Sequence, residues 1–174
     1  MALPKWHEGP IAKHHDRKAF DCGVEALNEY LRRFARQNHA RGASKTFVAV
    51  PDEAPARILG YYTISPSALD FDLVPEVITR GLGRYEVPVF RLGRLAVSRE
   101  FRGQRLGTML LLSAGERAMA VAEVAGGVAL AIDAKDERAA GWYEGAGAVR
   151  LLDDRLKLIL PFATIAAALR TVKR

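Results

Sequence analysis

The chain has 174 residues, 49% of them hydrophobic, and a formal net charge of +6 at neutral pH. This length suits one well-filled core and is too short for two ordinary domains, so we expect a single domain over residues 1–174. No apolar run approaches the roughly 20 residues that span a bilayer, and the N-terminus lacks the apolar core of a signal peptide. We therefore expect a cytoplasmic protein that does not enter a membrane.

The chain contains one cysteine, Cys22, and four histidines. A single cysteine cannot form an internal disulfide, and the histidines show neither HExxH spacing nor paired cysteines. We therefore expect no bound metal. Cys22 is interpreted as a small buried or helix-edge side chain.

The first predicted elements are an extended segment and a basic helix. Prolines and a glycine in the first ten residues disfavour a helix, so an edge strand or extended segment is expected near Ile11. Asp21 is the predicted cap of a helix with apolar residues at helical spacing, and Gly42 is its predicted end. The outward face of this helix carries Arg32, Arg33, Arg36 and Gln37.

A β-hairpin is predicted next, because residues 46–51 and 57–65 are β-rich and flank a turn that contains two prolines. Residues 69–73 are expected to be strand-like, and Pro75 is expected to open a short helix. Residues 87–97 form a nearly continuous apolar run, which is typical of a central strand.

The second half of the chain alternates between predicted helices and strands. The helices are expected at residues 106–124, 137–145 and 164–170, and the strands at residues 128–132, 148–152 and 156–160. Strands that alternate with helices predict an α/β fold with a mixed central sheet flanked by helices.

The turn before the first of these helices has a distinctive composition. It runs Arg102-Gly103-Gln104-Arg105-Leu106-Gly107 and connects the central strand to an apolar helix. The start of a helix presents free backbone N–H groups and the positive end of the helix dipole. Such a point binds phosphate, although a glycine here is also consistent with a simple change of chain direction.

A second segment, Asp136 to Gly147, strengthens the phosphate interpretation. Together the two segments resemble the Gcn5-related N-acetyltransferase (GNAT) family, whose pyrophosphate loop runs Arg/Gln-x-x-Gly-x-Gly/Ala and whose later segment runs Asn-x-x-Ala-x-x-x-Tyr-x-x-x-Gly. The resemblance implies an N-acetyltransferase that uses acetyl-CoA as co-substrate. The residues that it assigns to acetyl-CoA are Leu95, Ala96, Val97, Arg102, Gly103, Gln104, Arg105, Leu106, Gly107, Thr108 and Asp136.

Three positions depart from the family pattern. Arg105 stands where glycine is usual, Asp136 where asparagine is usual, and Ala148 where phenylalanine is usual. If φ at Arg105 is negative, its N–H still faces the phosphate and its guanidinium adds a contact. If φ is positive, we expect a strained loop and weaker acetyl-CoA binding.

Tyr143 is the residue to which the resemblance assigns catalysis. Attack by an amine expels the CoA thiolate, and a phenol with a pKa of about 10 can give that leaving group a proton. A free α-amino group has a pKa of about 7.7–8.0, so a useful fraction is neutral near pH 7 without a strong base. This difference from lysine, at about 10.4, favours an α-amine as acceptor.

Further segments resemble one branch of the family in particular. They are Phe20-Asp21-Cys22-Gly23, Leu27-Asn28-Glu29-Tyr30-Leu31, Ala35-Arg36-Gln37-Asn38 and Gly60-Tyr61-Tyr62-Thr63-Ile64-Ser65. That branch contains toxins of type II toxin–antitoxin pairs, which acetylate the amino group of aminoacyl-tRNA. The resemblance implies an aminoacyl-tRNA substrate, a ribbon-helix-helix antitoxin and a homodimer.

The charge distribution agrees with a polyanionic partner. Residues 30–51 contain five basic and no acidic side chains, and residues 80–107 contain seven arginines against two glutamates. We expect contacts to the tRNA backbone from Arg32, Arg33, Arg36, Arg91 and Arg94. A solvated basic face without a partner, or one that binds an acidic protein, is the alternative.

Two other functions remain open from the sequence. One is a GNAT enzyme that acetylates a small amine or a protein N-terminus, for which the basic faces are incidental. The other is a GNAT-shaped binding module that has lost catalysis through Arg105.

Overall fold

The computed structural model describes residues 1–172. Its strands and helices are, in chain order, β1 (Trp6–Pro10), α1 (Glu25–Arg33), α2 (Ala35–Arg41), β2 (Lys45–Pro51), β3 (Gly60–Leu69), α3 (Glu76–Thr79), β4 (Val87–Val97), α4 (Leu106–Ala125), β5 (Ala129–Asp133), α5 (Glu137–Gly145), β6 (Val149–Arg150), β7 (Lys157–Pro161) and α6 (Phe162–Val172). Two 3₁₀ turns lie at Phe71–Leu73 and Arg99–Phe101.

The strands follow one another in the order β1-β2-β3-β4-β5-β7-β6. β1, β2 and β3 pair antiparallel, and Phe47 lies opposite Tyr62 in the β2–β3 register. β4 pairs parallel with β5, where Arg91 lies opposite Ala131. The pairs of β7 with β5 and β6 are antiparallel. The predicted α/β fold with a mixed sheet is confirmed.

The chain divides into two compact units, each with its own cluster of buried apolar side chains. Unit 1 contains residues 1–65 and 94–111, and unit 2 contains residues 66–93 and the chain from residue 112 onward. In unit 1, Val48 and Val50 of β2 and Tyr61 of β3 pack with Tyr30 and Leu31 of α1. The period-two spacing of the two valines places both side chains on one face of β2.

Unit 2 has a second apolar cluster, drawn mainly from its strands. Val87 and Val89 of β4, Ala129 and Ala131 of β5, and Ile159 of β7 are all buried. Their alternation along each strand gives the sheet one continuous apolar face.

A glycine fixes the approach of β3 to β4 within unit 1. A Cβ at Gly60 would lie 2.9 Å from the carbonyl oxygen of Ala96 and 2.8 Å from Cδ1 of Leu110. Both distances are too short for a carbon atom, so any larger residue would displace backbone. The Ser98 N–H donates to the Leu59 carbonyl at 2.8 Å and continues the same alignment.

The predicted basic helix differs from the observed structure in two respects. Asp21 is not its cap, because α1 begins at Glu25 with Val24 at the N-cap and no side-chain hydrogen bond there. The helix is also broken at Phe34 into α1 and α2. Its predicted end is confirmed, since Gly42 caps α2 in the left-handed conformation with φ of 78°.

Other boundaries were predicted with mixed success. The bounds of β4 and α5 agree with the prediction, as does the short helix after Pro75. The prediction of a strand at residues 69–73 is wrong beyond Leu69. There Asp70 accepts a hydrogen bond from the Asp72 N–H at 3.0 Å, and the chain forms a 3₁₀ turn instead. No helix within residues 1–172 has the length and apolar character needed to cross a bilayer.

Candidate functional site

The turn from β4 to α4 is held by two buried apolar side chains. Phe101 and Leu106 are each 1% exposed, whereas the residues between them point outward or are half-buried. Gly103 and Arg105 have positive φ values of 76° and 65°. Turns that contain left-handed residues can aim neighbouring backbone N–H groups at one point, and this makes an anion-binding concavity.

The first N–H groups of α4 are available to a ligand. The first hydrogen bond into the helix runs from the Met109 N–H to the Arg105 carbonyl at 3.1 Å. Within residues 1–172, the N–H groups of Leu106, Gly107 and Thr108 donate to no backbone carbonyl. A Cβ built at Gly103 meets no atom within 4 Å, so the space beside the turn is open. This arrangement fits the pyrophosphate group of acetyl-CoA.

Arg105 adopts the strained alternative that the sequence left open. It is the one non-glycine residue with positive φ among residues 1–172. A left-handed conformation costs a side-chain-bearing residue about 1–2 kcal/mol. Because glycine is usual here in the family, the arginine places this cost in the turn itself.

Arg102 ties the turn to the segment before α1. Its guanidinium donates to the carbonyl oxygen of Cys22. Gly23 has a φ of 83°, and a Cβ at this position would collide with the Arg102 guanidinium. The Cys22-Gly23 pair is therefore shaped to accept Arg102, so part of the hydrogen-bonding capacity of Arg102 is used within the protein.

Asp21 is the centre of a polar cluster beside that contact. Its Oδ1 accepts from the Gly23 N–H at 2.8 Å and from the Asn28 side-chain amide at 2.9 Å, and Arg99 lies 3.1 Å from Oδ2. The Asn28 Oδ1 in turn accepts from the Cys22 N–H at 2.9 Å. Hydrogen bonds from the Gly23 N–H and Asn28, together with Arg99, hold the pKa of Asp21 below its usual range.

Gln104 connects the turn to the beginning of the chain. Its side-chain oxygen accepts from the Leu3 N–H at 2.6 Å, and its side-chain nitrogen donates to the Met1 carbonyl at 2.6 Å. Side-chain contacts of three residues therefore fix the turn to the part of the chain before α1. These residues are Arg99, Arg102 and Gln104.

The backbone groups of β4 alternate in direction at the residues expected to meet pantetheine. The Ala96 carbonyl faces Gly60, and the Ser98 N–H bonds to Leu59, so both point toward β3. Since backbone groups alternate along a strand, those of Leu95 and Val97 point the other way. They can donate to and accept from an extended ligand.

Within unit 2, α5 carries the remaining predicted groups. Asp136 is its N-cap and accepts from the Ala139 N–H at 2.8 Å. Tyr143 is 8% exposed, and its ring lies 5.0 Å from that of Trp142 in an edge-to-face arrangement. Burial raises the pKa of the Tyr143 hydroxyl, so the group keeps its proton at neutral pH.

The arginines predicted to contact RNA occupy different environments. Arg32 pairs with Glu25, Arg33 with Glu29 at 2.9 Å, and Arg91 with Asp133 at 2.5 Å. Arg94 lies over the ring of Tyr30, with 3.5 Å between the guanidinium carbon and the ring centroid. Arg36 is exposed and has no ion pair within residues 1–172.

Several contact residues were not identified from the sequence. Arg99 and Asn28 complete the Asp21 cluster, and Arg150 binds two carboxylates of α5. Asn28 follows Asp21 by seven residues, and this spacing was the one local signal for their contact. Arg99 and Arg150 give no such signal, because nothing in the sequence around either arginine indicates which carboxylate it contacts.

We predict that the strain at position 105 lowers the free energy of unfolding by a measurable amount. Arg105→Gly should raise the free energy of unfolding by roughly 0.5 kcal/mol, because the relief of about 1–2 kcal/mol of strain exceeds the chain entropy that glycine adds. Arg105→Ala removes the guanidinium but keeps the Cβ, so it should match the wild type. Thermal and urea unfolding measure both, and equal stabilities of the Gly and Ala variants would contradict the assignment.

We also predict a pH-dependent contribution from Asp21. Because folding lowers its pKa, the stabilisation is complete above the unfolded value of about 3.9 and is lost as the pH falls through the folded value. The melting temperature of Asp21→Asn should therefore lie below the wild type at pH 7, and the difference should shrink below about pH 3.9. Glu53→Gln, at an exposed carboxylate in the β2–β3 turn, is the control. A difference that stays constant across this range would count against the prediction.

The chain matches known proteins over most of its length. The acetyltransferase (GNAT) family matches residues 11–148. A protein of Mycobacterium tuberculosis (strain ATCC 25618 / H37Rv) named tRNA-acetylating toxin is 32% identical over 133 residues, which are 76% of this chain and 78% of that protein.

Solved structures have the same fold. The crystal structure of a tyrosine-to-phenylalanine mutant of KacT superposes with a TM-score of 0.87 and 27% identity, covering 94% of this chain and 98% of that one. A mutant of the toxin AtaT, bound to the C-terminus of the antitoxin AtaR and acetyl-CoA, gives 0.80 and 24%, with 94% and 98% covered. These similarities show that the chain belongs to the acetyltransferase (GNAT) family.

Proposed function

We propose that this protein transfers an acetyl group from acetyl-CoA to the α-amino group of aminoacyl-tRNA, and so acts as a toxin that blocks translation. The observation that carries the proposal is the turn at Gly103 and Arg105, which leaves the first N–H groups of α4 available to a phosphate group. The similarity to a tRNA-acetylating toxin supports the choice of acceptor.

The chain offers separate groups for the parts of acetyl-CoA. The free N–H groups of Leu106, Gly107 and Thr108 are suited to the pyrophosphate, and the backbone of Leu95 and Val97 to the pantetheine arm. When bound, acetyl-CoA supplies the activated acetyl thioester. An N–H from β4 is suited to polarise the thioester carbonyl.

Tyr143 is proposed as the general acid. In the reaction a bond forms between the amine nitrogen and the acetyl carbon, the carbon–sulfur bond breaks, and the sulfur takes the proton of Tyr143. The proton that the amine nitrogen releases restores the phenol, so the proton balance closes. The Tyr143 hydroxyl is protonated at neutral pH and can therefore donate its proton to the leaving thiolate. Asp136 stabilises the start of the same helix as its N-cap.

Contacts to tRNA are proposed for Arg32, Arg33, Arg36, Arg91 and Arg94. Of these, Arg36 is immediately available, whereas Arg32, Arg33 and Arg91 would exchange a carboxylate for a phosphate. These pairs are exposed or half-exposed, and exposed ion pairs contribute about 0–1 kcal/mol, so the exchange costs little.

The proposal extends to the assembly of the protein in the cell. We propose that residues 1–174 act as one cytoplasmic domain, that two copies form a homodimer, and that a ribbon-helix-helix antitoxin neutralises it. The toxin AtaT, which has the same fold, binds an antitoxin, and this supports a protein partner of that kind.

The decisive experiment is transfer of labelled acetyl from acetyl-CoA to a pool of charged tRNA. Uncharged tRNA, free amines and peptides are the parallel acceptors. We expect label on charged tRNA alone, with a rate that falls steeply with salt because ions compete for the phosphate contacts. Label on free amines or peptides instead would identify a small-substrate enzyme, and no label with any acceptor would indicate a non-catalytic module.

We predict that Tyr143→Phe lowers the turnover number by at least about 100-fold, the range of general acid catalysis. The dissociation constant for acetyl-CoA should change less than about twofold, because the phenol is assigned to proton transfer rather than to binding. Tyr85→Phe, at a hydroxyl on an 81% exposed side chain, is the matched control. Unchanged turnover in Tyr143→Phe would remove Tyr143 from the mechanism.

A further inference from the structure

The helix that carries Tyr143 has few internal means of staying ordered. α5 spans nine residues, and two of them, Gly141 and Gly145, are glycines, which disfavour a helix. Its buried side chains are Ala140 and Tyr143, of which alanine contributes little apolar contact. A helix of this length is marginal by itself, so its position depends on contacts with the rest of unit 2.

One guanidinium makes contacts at both ends of this helix. Arg150 of β6 lies 2.7 Å from Glu137 Oε1 and 2.7 Å from Glu144 Oε1, and it donates to Glu137 Oε2 at 2.9 Å. It also donates to the Arg155 carbonyl at 2.9 Å. The Arg150 side chain is 12% exposed, whereas the side chains of Glu137 and Glu144 are 63% and 45% exposed. The arginine is therefore held against the protein, and its two partners lie at the surface.

The spacing of the two glutamates makes this contact effective. Glu137 lies in the first turn of α5 and Glu144 in the last, and residues seven apart project from the same face of a helix. The planar guanidinium presents its donors in a fixed fork, which one ammonium group cannot reproduce across two carboxylates. Arg150 therefore sets the direction of α5 relative to β6.

Tyr143 directly precedes Glu144, and its backbone carbonyl is held by a residue that follows α5. The Ala148 N–H donates to the Tyr143 carbonyl at 3.1 Å. A Cβ at Gly147 would lie 2.6 Å from Cγ2 of Thr164, so the chain after the helix is tightly packed as well. A change in the Arg150 contacts would therefore move the helix at the residue that carries the phenol.

We infer that Arg150 is a positioning residue for Tyr143, acting through Glu137 and Glu144. The inference rests on the proposed role of Tyr143 as proton donor. It assigns no contact between Arg150 and either substrate.

The test measures turnover and acetyl-CoA binding in Arg150→Met, Arg150→Lys and Arg155→Met. We expect Arg150→Met to lower the turnover number at least tenfold while KM for acetyl-CoA changes less than twofold. Arg150→Lys, which keeps the charge and serves as the variant if Arg150→Met does not fold, should lie between Arg150→Met and the wild type. Arg155→Met is the matched control, since Arg155 is 76% exposed and 3.7 Å from Glu137, and it should retain full turnover.

A second readout does not depend on activity. With Trp6→Phe as background, Trp142 is the one remaining tryptophan and reports on α5. Acrylamide quenching of its fluorescence should increase at least twofold in the Arg150 variants under native conditions, and stay unchanged in Arg155→Met. A purely global loss of stability would lower the melting temperature without changing quenching in the folded state.

The outcomes separate the inference from the function on which it rests. If the Arg150 variants melt earlier but the folded protein keeps wild-type turnover and quenching, the positioning role is wrong. A rise in KM for acetyl-CoA with unchanged turnover would also overturn it. If Tyr143→Phe turns over at the wild-type rate, the proposed role of Tyr143 as proton donor is wrong. The positioning role of Arg150 is then wrong as well, because it depends on that role.

Discussion

The constraint on which unit 1 depends is the short passage from β4 into α4. The chain must bury Phe101 and Leu106 and still leave the first N–H groups of the helix facing outward. Two left-handed residues, Gly103 and Arg105, make this possible. The contacts of Arg99, Arg102 and Gln104 then hold the turn against the segment before α1. The turn is thus rigid because distant parts of the sequence meet on it.

The charge of the protein is used for structure as well as for recognition. The sequence shows a strong basic excess, but in the folded chain most of the arginines that were singled out meet a carboxylate or an aromatic ring. A field that attracts a polyanion survives such pairing, since pairs cancel locally while the net charge of +6 remains. The paired arginines hold their side chains in place, and this lowers the entropy cost of forming contacts to phosphate.

The sequence predicted most reliably where local signals decide the structure. The apolar run of β4 and the cap and glycines of α5 fix their ends, so both elements were placed correctly. The prediction for Asp21 was wrong because its carboxylate finds donors at Asn28 and at Arg99, a residue far along the chain. The role of Arg150 could not be predicted for the same reason, since its two carboxylates become neighbours only when α5 packs beside β6. The conformation of Arg105 depends on the path of the whole turn, and no local pattern could choose it.

The contact between Gln104 and the first residues has a practical consequence for work with this protein. One hydrogen bond uses the carbonyl of Met1 and the other the N–H of Leu3. Both form only when residues 1–3 lie beside the Gln104 amide in the observed direction. A change at Met1 or Leu3 that removes either of these two hydrogen bonds therefore alters a neighbour of the turn from β4 into α4. Affinities for phosphate-bearing ligands are best compared between preparations whose first three residues are identical.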